Sequence, residues 1–299
     1  MNIGVLNIYT RFTTYGGAQL VALTLHKHLD INGQRFIMGF NKYEKFNERY
    51  LKPLQNEYLR FSIRNIVKNK ESIFISHHRR TTTYLILLSK ILHLKLRIIH
   101  VAHNEFHSLK YFTFFPKKIV AVSNRVKDNL ISYFNIDEGR ITVIYNGIED
   151  RYKEKANSYD GKKIKILYPA RICPVKQQLL IVKTLTNYLD ERISIDFAGD
   201  GEDKEELIKL CQRSKQFQYI GFVEIDDIIH QYDYVMLFSK KEGLPLALIE
   251  ACMFQKPILA NDVGGNLEIL IDGYNGYQLS VINNLTDLLN RLVHINQGL

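Results

Sequence analysis

Glu242 and Glu250, in "EGLPLALIEA", stand either side of seven residues that include a Gly-Leu-Pro corner. Packing alone asks for neither carboxylate. Glu242 precedes a predicted helix, and Glu250 falls four residues beyond Leu246, one turn on and on the same face. Between them the backbone from Gly243 through Leu244 and Pro245 to Leu246 opens that helix, and free N–H groups at such a start can meet an anion. Two acceptors flanking an anion cradle suit a ligand with hydroxyls at its ends and phosphate in its middle, which describes a sugar nucleotide. A helix-start carboxylate favoured by the macrodipole, followed by a solvated helical Glu, accounts for the spacing as well.

The surroundings bear on that choice. "ARICPVK" places Arg171 just after a strand and Lys176 five residues on, near a helix start. Such residues are commonly surface charges; aimed into one cleft, the Arg can clamp phosphate oxygens bidentately and the Lys can act as a point charge. In "HVAHNEF", His103 ends a strand, and alternation puts His100 on the opposite face. "SHHRR" (76–80) also follows a strand, so His77, His78, Arg79 and Arg80 are candidates to hold an anionic acceptor such as a phosphorylated glycan or lipid-linked phosphate, with a solvated basic loop as the alternative. Adjacent histidines do not converge on a metal, and no acidic partner is evident.

These residues need loops at strand ends to position them. Short β-rich runs alternate with amphipathic stretches: strands at 2–9, 35–40, 72–77, 97–103, 118–123 and 141–146, and a helix from Ala18 to about Asp30 after a loop ending in Gly16-Gly17. A polar stretch at 149–163 reads as a linker, after which the rhythm restarts with strands at 164–170, 193–199, 217–222, 234–239 and 257–262 and helices over 176–189, 203–214 and about 246–254. The βαβ rhythm specifies an α/β chain with two doubly wound parallel sheets, in domains of residues 1–150 and 151–299. Two such domains place a cleft between the sheets, with ligands beyond the carboxyl ends of strands.

Taken together, "EGLPLALIEA", "KPILANDVGG", "ARICPVK", "FAGDGEDKEEL" and "VIYNGIE" closely resemble the GT-B-fold retaining glycosyltransferases of family GT4, over about residues 2–280. The resemblance implies two Rossmann-like domains facing a central cleft, an acceptor side in the N-terminal one and a nucleotide-sugar donor site in the C-terminal one. It implies that Glu242 contacts hydroxyls of the donor sugar, the backbone of Gly243 to Leu246 its phosphates, and Glu250 the ribose hydroxyls. Arg171 and Lys176 would neutralise the leaving diphosphate, Gly16 and Gly17 would bring a helix start against the phosphate, and Gly199 to Gly201 would form a turn lining the nucleotide pocket. His103 matches the family's histidine near the donor sugar. A front-face, retaining transfer follows, with a UDP-sugar favoured over a GDP-sugar and a cell-surface glycan as acceptor: lipopolysaccharide, capsule or another lipid-linked saccharide. No cofactor or metal is implied, since basic residues supply the charge a cation would otherwise bring. Relatives continue past "DGYNGYQL" with helices that brace the first domain, whereas one predicted helix, 283–295, precedes Leu299 here.

Composition sets bounds on the alternatives. The chain has 299 residues, 46% hydrophobic, enough for two cores, and its three cysteines lie far apart without CxxC spacing, so they read as buried apolar groups. No leader-like run opens the chain, and "TYLILLSKILHL" falls short of the roughly 18 apolar residues of a membrane span, so a cytoplasmic protein is expected. The formal charge of +9 is concentrated in residues 1–150, where 22 Lys and Arg face 11 Asp and Glu. Such a half suits an anionic membrane surface, with "SIRNIVKNK" and "HLKLR" as contacts, an anionic substrate, or nucleic acid. Nucleic acid is disfavoured because aromatics do not interleave with the basic residues in a recognisable module. A GT-B epimerase or phosphorylase is the other alternative, and neither carries the Glu242–Glu250 element in this setting.

Overall fold

Runs of Val, Ile, Leu and Phe buried on both faces form the strands, as parallel sheets require. The computed structural model describes residues 4–29, 34–50, 52–153, 163–279 and 285–297. The chain divides into two compact units, Met1–Asn146 and Gly147–Leu299. Most of the linker expected over 149–163 lies outside the described residues, as do the outer ends of the first strand, first helix and last helix predicted above.

In the first unit the order is β1 (Val5–Ile8), α1 (Gly17–His28), β2 (Arg35–Gly39), β3 (Tyr58–Arg60), α2 (Ile63–Lys68), β4 (Ile73–Ser76), α3 (Arg79–Ile91), β5 (Arg97–Ala102), β6 (Lys118–Ala121), α4 (Asn124–Ser132) and β7 (Ile141–Val143). All seven strands run parallel in the order β3-β2-β1-β4-β5-β6-β7. Alternation sends Leu6, Ile8 and Met38 into a core with Phe74, Ile66 and Leu85, while Ile37 packs in a second core with Phe12, Leu23 and Phe46.

The second unit repeats the pattern with β8 (Ile164–Pro169), α5 (Gln178–Leu185), β9 (Ile193–Ala198), α6 (Lys204–Cys211), β10 (Phe217–Gly221), α7 (Ile225–Ile228), β11 (Tyr234–Leu237), α8 (Leu246–Met253), β12 (Ile258–Asn261), β13 (Gly276–Leu279) and α9 (Leu285–Gln297). Its six parallel strands lie in the order β10-β9-β8-β11-β12-β13. α9 belongs to the same core: Leu285, Leu289, Leu292 and Val293 are buried in it, and the Asn290 side chain accepts from the Asp190 amide at 2.8 Å.

Each sheet reverses its direction of growth once, between β1 and β4 in the first unit and between β8 and β11 in the second. Beyond the carboxyl ends of such strand pairs the flanking loops part and leave room for a ligand. Arg171 and Lys176 follow β8, and Glu242 follows β11. Gly16 follows β1 and His77 follows β4.

The loop after β8 is set by direct backbone packing against the loop after β9. Gly199 has φ +146°, and a Cβ there would lie 2.1 Å from the Ala170 carbonyl oxygen; one at Gly201 would lie 2.1 Å from that of Ile172. The Ile172 amide donates to the Asp200 carbonyl at 3.0 Å, and the Asp203 amide donates to the Ile172 carbonyl at 3.2 Å. The two glycines thus allow the turn of Arg171 to lie flush on its neighbour. Gly201→Ala is expected to cost about 1–3 kcal/mol through overpacking, a fall of several degrees in Tm by calorimetry, whereas Gly147→Ala, with nothing within 4 Å of the added carbon, should stay within about 0.5 kcal/mol.

Candidate active site

A buried ion pair organises the second unit's switch point. Lys176 Nζ donates to Glu242 Oε1, joining the loop after β8 to the loop after β11, with the two side chains 20% and 8% exposed. Breaking such a pair from one side costs on the order of 3–5 kcal/mol, because a charge is left in a poorly solvated place. Both backbones are held from behind. The buried Tyr168 hydroxyl lies 2.6 Å from the Lys176 carbonyl and accepts from the Phe238 amide at 2.8 Å. Gln178, also buried, donates to the Arg171 carbonyl at 2.9 Å. Gln177, with φ +54°, turns the chain from the Lys176 loop into α5, so this helix starts two residues later than predicted.

The Glu242 loop rests on the loop after β12. Gly264 has φ +56°, and a Cβ there would come within 2.4 Å of the Glu242 carbonyl oxygen; next to it the Gly265 amide donates to the Gly243 carbonyl at 2.7 Å. Asn261 caps the end of β11, accepting from the Ser239 amide at 3.0 Å and donating to its carbonyl at 2.8 Å. Pro245, expected at the first helical position, is instead the N-cap of α8, with extended backbone and Leu246 first in the helix. Proline has no amide hydrogen, so the donors of this cradle come from the other residues of the run. Leu244 is buried.

Arg171 stands apart from the buried pair: its guanidinium donates to Glu202 at 2.6 Å, and both side chains are about half exposed. Such a surface pair contributes about 0–1 kcal/mol, so an incoming anion displaces Glu202 cheaply. Glu250, on α8, is 13% exposed and accepts from Arg151 Nη2 at 2.9 Å, while Arg151 Nη1 reaches Asp226 at 3.1 Å. Burial pushes the Glu250 carboxyl up to about 7; Arg151 opposes the shift and the charge of Asp226 adds to it. Arg151 escapes sequence reasoning because it stands in the polar run read as a linker, where a lone basic residue carries no signal. Gly264 and Gly265 lie in the quoted "KPILANDVGG", and their double glycine was the available clue.

In the first unit a buried histidine, His77, and a half-buried one, His103, form a relay. His77 Nδ1 and His103 Nε2 are 2.9 Å apart with the rings stacked, and His77 Nε2 lies 3.3 Å from Asn7 Oδ1. Asn7 Oδ1 can only accept, so His77 carries its proton on Nε2 and its Nδ1 accepts from His103 Nε2–H. His103 Nδ1 is thereby left as the lone-pair nitrogen. Burial holds His103 down to about 4 and His100 to about 3, and lowers His77 well below the ordinary histidine range. His100 turns the other way, meeting the Thr82 hydroxyl at 2.8 Å.

"SHHRR" is accordingly not one solvated basic loop. His77 is in the relay and His78 is the half-buried N-cap of α3. Arg79 donates to the Ser108 carbonyl at 2.6 Å and lies over the Phe106 ring, which leaves Arg80 as the exposed cation. Gly16 is the N-cap of α1; its amide donates to the Tyr50 hydroxyl at 2.9 Å, so the helix start at Gly17 is fixed from behind by a tyrosine. Among the described residues no group of three or more His, Cys, Asp or Glu is arranged to hold a metal ion, and no helix is long and apolar enough to cross a membrane.

The chain matches two successive families: Glycosyltransferase Family 4 over residues 15–152 and Glycosyl transferases group 1 over 149–296. Among curated relatives, the O-antigen biosynthesis glycosyltransferase WbnH of Escherichia coli is 28% identical over 163 residues, 54% of this chain and 46% of that protein. The chain spans about half the length of the curated relatives it matches. The fold is shared with HepE of Anabaena, solved with UDP, at a TM-score of 0.80 and 17% identity, covering 99% of this chain and 91% of that one. It is shared also with the lipopolysaccharide outer core galactosyltransferase WaaB, at a TM-score of 0.72 and 16% identity, covering 98% and 90%.

The buried acid and the buried histidines give pH dependences of opposite sign. A carboxyl raised from its ordinary 4.5 to about 7 binds a proton more tightly folded than unfolded. Its contribution is present below about pH 4.5 and is lost as pH rises through about 7. The lowered histidines contribute above about pH 6.5, and this is lost as pH falls towards 4. Glu250→Gln is expected to remove a decline of about 3 kcal/mol between pH 4.5 and 7, read by urea unfolding, and to leave the acid-side loss untouched; an unchanged decline would remove Glu250 as its source.

Proposed function

The chain belongs to the group 1 glycosyltransferases of family 4, and from that premise we propose that it moves a hexose-type sugar from a nucleotide-diphosphate sugar, a UDP-sugar in preference to a GDP-sugar, to a cell-surface glycan or lipid-linked acceptor with retention at the anomeric carbon. The observation that carries the reading is the Lys176–Glu242 pair. Opening it is expensive unless one ligand satisfies both ends. A sugar diphosphate does so: its phosphate oxygens take the place of Glu242 at Lys176, and its sugar hydroxyls donate to the released Glu242. Arg171 turns from Glu202 to the same diphosphate and Glu250 accepts from the ribose. The amides of Gly243, Leu244 and Leu246 face the phosphates at the start of α8, with Pro245 fixing the turn. Gly199 and Gly201 hold the Arg171 loop beside the nucleotide.

The bond between the anomeric carbon and the leaving oxygen loosens first, placing positive charge on the sugar and negative charge on the diphosphate. Lys176 and Arg171 act on that developing negative charge, so they take the part that a metal ion plays elsewhere and no cofactor is required. The leaving phosphate accepts the acceptor's proton, and attack comes from the face it departs, which preserves configuration. In the first unit His103, kept neutral by burial and by its relay, acts on the donor sugar, and the α1 start at Gly16 and Gly17 acts on phosphate. The acceptor-side role of His77 and Arg79 becomes indirect, since the one orients His103 and the other braces the Ser108 loop; His78 and Arg80 remain as direct contacts.

UDP in the HepE structure and O-antigen synthesis by WbnH support the donor and acceptor classes without extending to this chain by themselves. A thermal-shift panel of UDP-, GDP- and ADP-sugars tests the donor. A donor at 100 times its Kd should add about 2.7 kcal/mol of stability, with UDP-sugars giving the largest shift and Lys176→Met cutting it at the same donor concentration to about half or less; no shift with any nucleotide sugar would overturn the reading.

A further inference from the structure

Three carboxylates of the second unit bear on one cation. Arg151 donates through Nη2 to Glu250 on α8 at 2.9 Å, and its Nη1 reaches Asp226 on α7 at 3.1 Å. Glu224, the N-cap of α7, adds its charge at Glu250. The charged groups that face Glu250 are therefore Arg151, from the segment before β8, and Asp226 and Glu224, from the α7 side. Acids outnumber the base, and Glu250 is the least exposed of the three residues that pair directly. Such an arrangement is a poor way to stabilise a fold, since apolar side chains of similar volume commonly do as well or better. Stability alone does not account for it.

Arg151 is held in place by more than its charge. Its amide donates to Met253 Sδ at 3.4 Å, and the next residue, Tyr152, sets its ring 6.3 Å from that of Phe254. Met253 ends α8 and Phe254 is its C-cap, so the backbone that carries the guanidinium is docked on the helix that carries Glu250. The guanidinium engages Oε1 of Glu250, and among the described residues none donates to Oε2. A ribose presents two adjacent hydroxyls, and an ionised carboxylate oxygen is an acceptor for them. Once protonated, the same group carries a hydrogen of its own and competes with the diol as a donor.

Ionisation at this position is finely balanced. Burial favours the protonated form and Arg151 opposes it, while the charges of Asp226 and Glu224 add to the effect of burial; the carboxyl comes to rest at about 7. Removing Arg151 therefore leaves Glu250 neutral at neutral pH, and removing the charge of Asp226 leaves it more fully ionised. We propose that Arg151 is a positioning residue of the donor site: it keeps Glu250 a carboxylate and engages one of its oxygens, so that the other accepts from the ribose diol of a nucleoside diphosphate. The inference rests on the assignment of the ribose to Glu250 proposed above, and it adds the residue on which that assignment depends.

Calorimetric titration of the full chain with UDP and with 2′,3′-dideoxy-UDP, from about pH 6 to about pH 9, tests it, because the two ligands share a diphosphate and its ionisation and differ in the diol alone. The parent should prefer UDP by roughly tenfold to hundredfold above about pH 8, the scale of a hydrogen bond to a charged group. That preference should be lost as pH falls through the value of Glu250. Arg151→Met should move the loss to higher pH, cutting the preference at about pH 7.5 by roughly tenfold and restoring it towards about pH 9, whereas Arg151→Lys should keep most of it. Asp226→Asn should move the loss to lower pH, independently of how well Arg151→Met folds. A residue that merely braces the chain would weaken both ligands alike and leave the pH dependence of their ratio in place. A ratio with the same pH dependence in the parent, Arg151→Met and Asp226→Asn, or displaced in one direction by both, would overturn the inference. UDP binding without preference for the diol would also overturn it and leave the Lys176 part of the donor reading standing, whereas absence of UDP binding would bring down the donor reading and the inference together.

Discussion

The Lys176–Glu242 ion pair is the contact on which the second unit's site depends. It bridges loops from β8 and β11, the strands at which the sheet changes direction, and it lies where neither charge is well solvated. Everything close to it serves placement. Tyr168 and Gln178 hold the Lys176 side, while Gly264 and Asn261 hold the Glu242 side, so the two charges face each other without depending on the mobility of either loop. Arg171 and its half-exposed partner Glu202 differ in kind. A strong buried pair beside a weak surface pair is an arrangement in which one cation is organised in advance and the other is recruited.

The first unit reaches a similar end through neutral groups. Burial keeps its histidines uncharged, and the chain from Asn7 through His77 to His103 fixes which nitrogen of each ring bears hydrogen. Protonating His103 adds a proton at Nδ1 and preserves its bond to His77, whereas protonating His77 breaks that bond. The relay therefore distinguishes two adjacent imidazoles that a charge count treats alike.

The strands were legible because parallel strands are buried on both faces and read as continuous apolar runs. "YVMLF" and "IKILYP" announce β11 and β8 in this way. The two strands that escaped the reading, β3 and β13, are short edges, three and four residues long, and "YLR" and "GYQL" have too little pattern to separate from a loop. Glu242, Glu250, Arg171 and Lys176 were legible as types at strand ends, but their partners were not. Lys176 and Glu242 are 66 residues apart, and Glu250 pairs with an arginine 99 residues away in a stretch whose composition suggests only solvent. The GDG turn is a similar case: its glycines could be marked from the sequence, yet the backbone oxygens of Ala170 and Ile172 that demand them become visible only when the loops are side by side.

If the pair is a site held ready for a sugar diphosphate, its two members must respond differently to a ligand that offers phosphate alone. Calorimetric titration of UDP into the parent chain, Lys176→Met and Glu242→Gln separates them. Lys176→Met should lose roughly tenfold to hundredfold in UDP affinity, the scale of one charge-assisted hydrogen bond, and Glu242→Gln should bind UDP equally or more tightly, because the competing carboxylate is gone. An affinity unaffected by Lys176→Met, or weakened alike by both substitutions, would contradict it and leave the pair a structural brace.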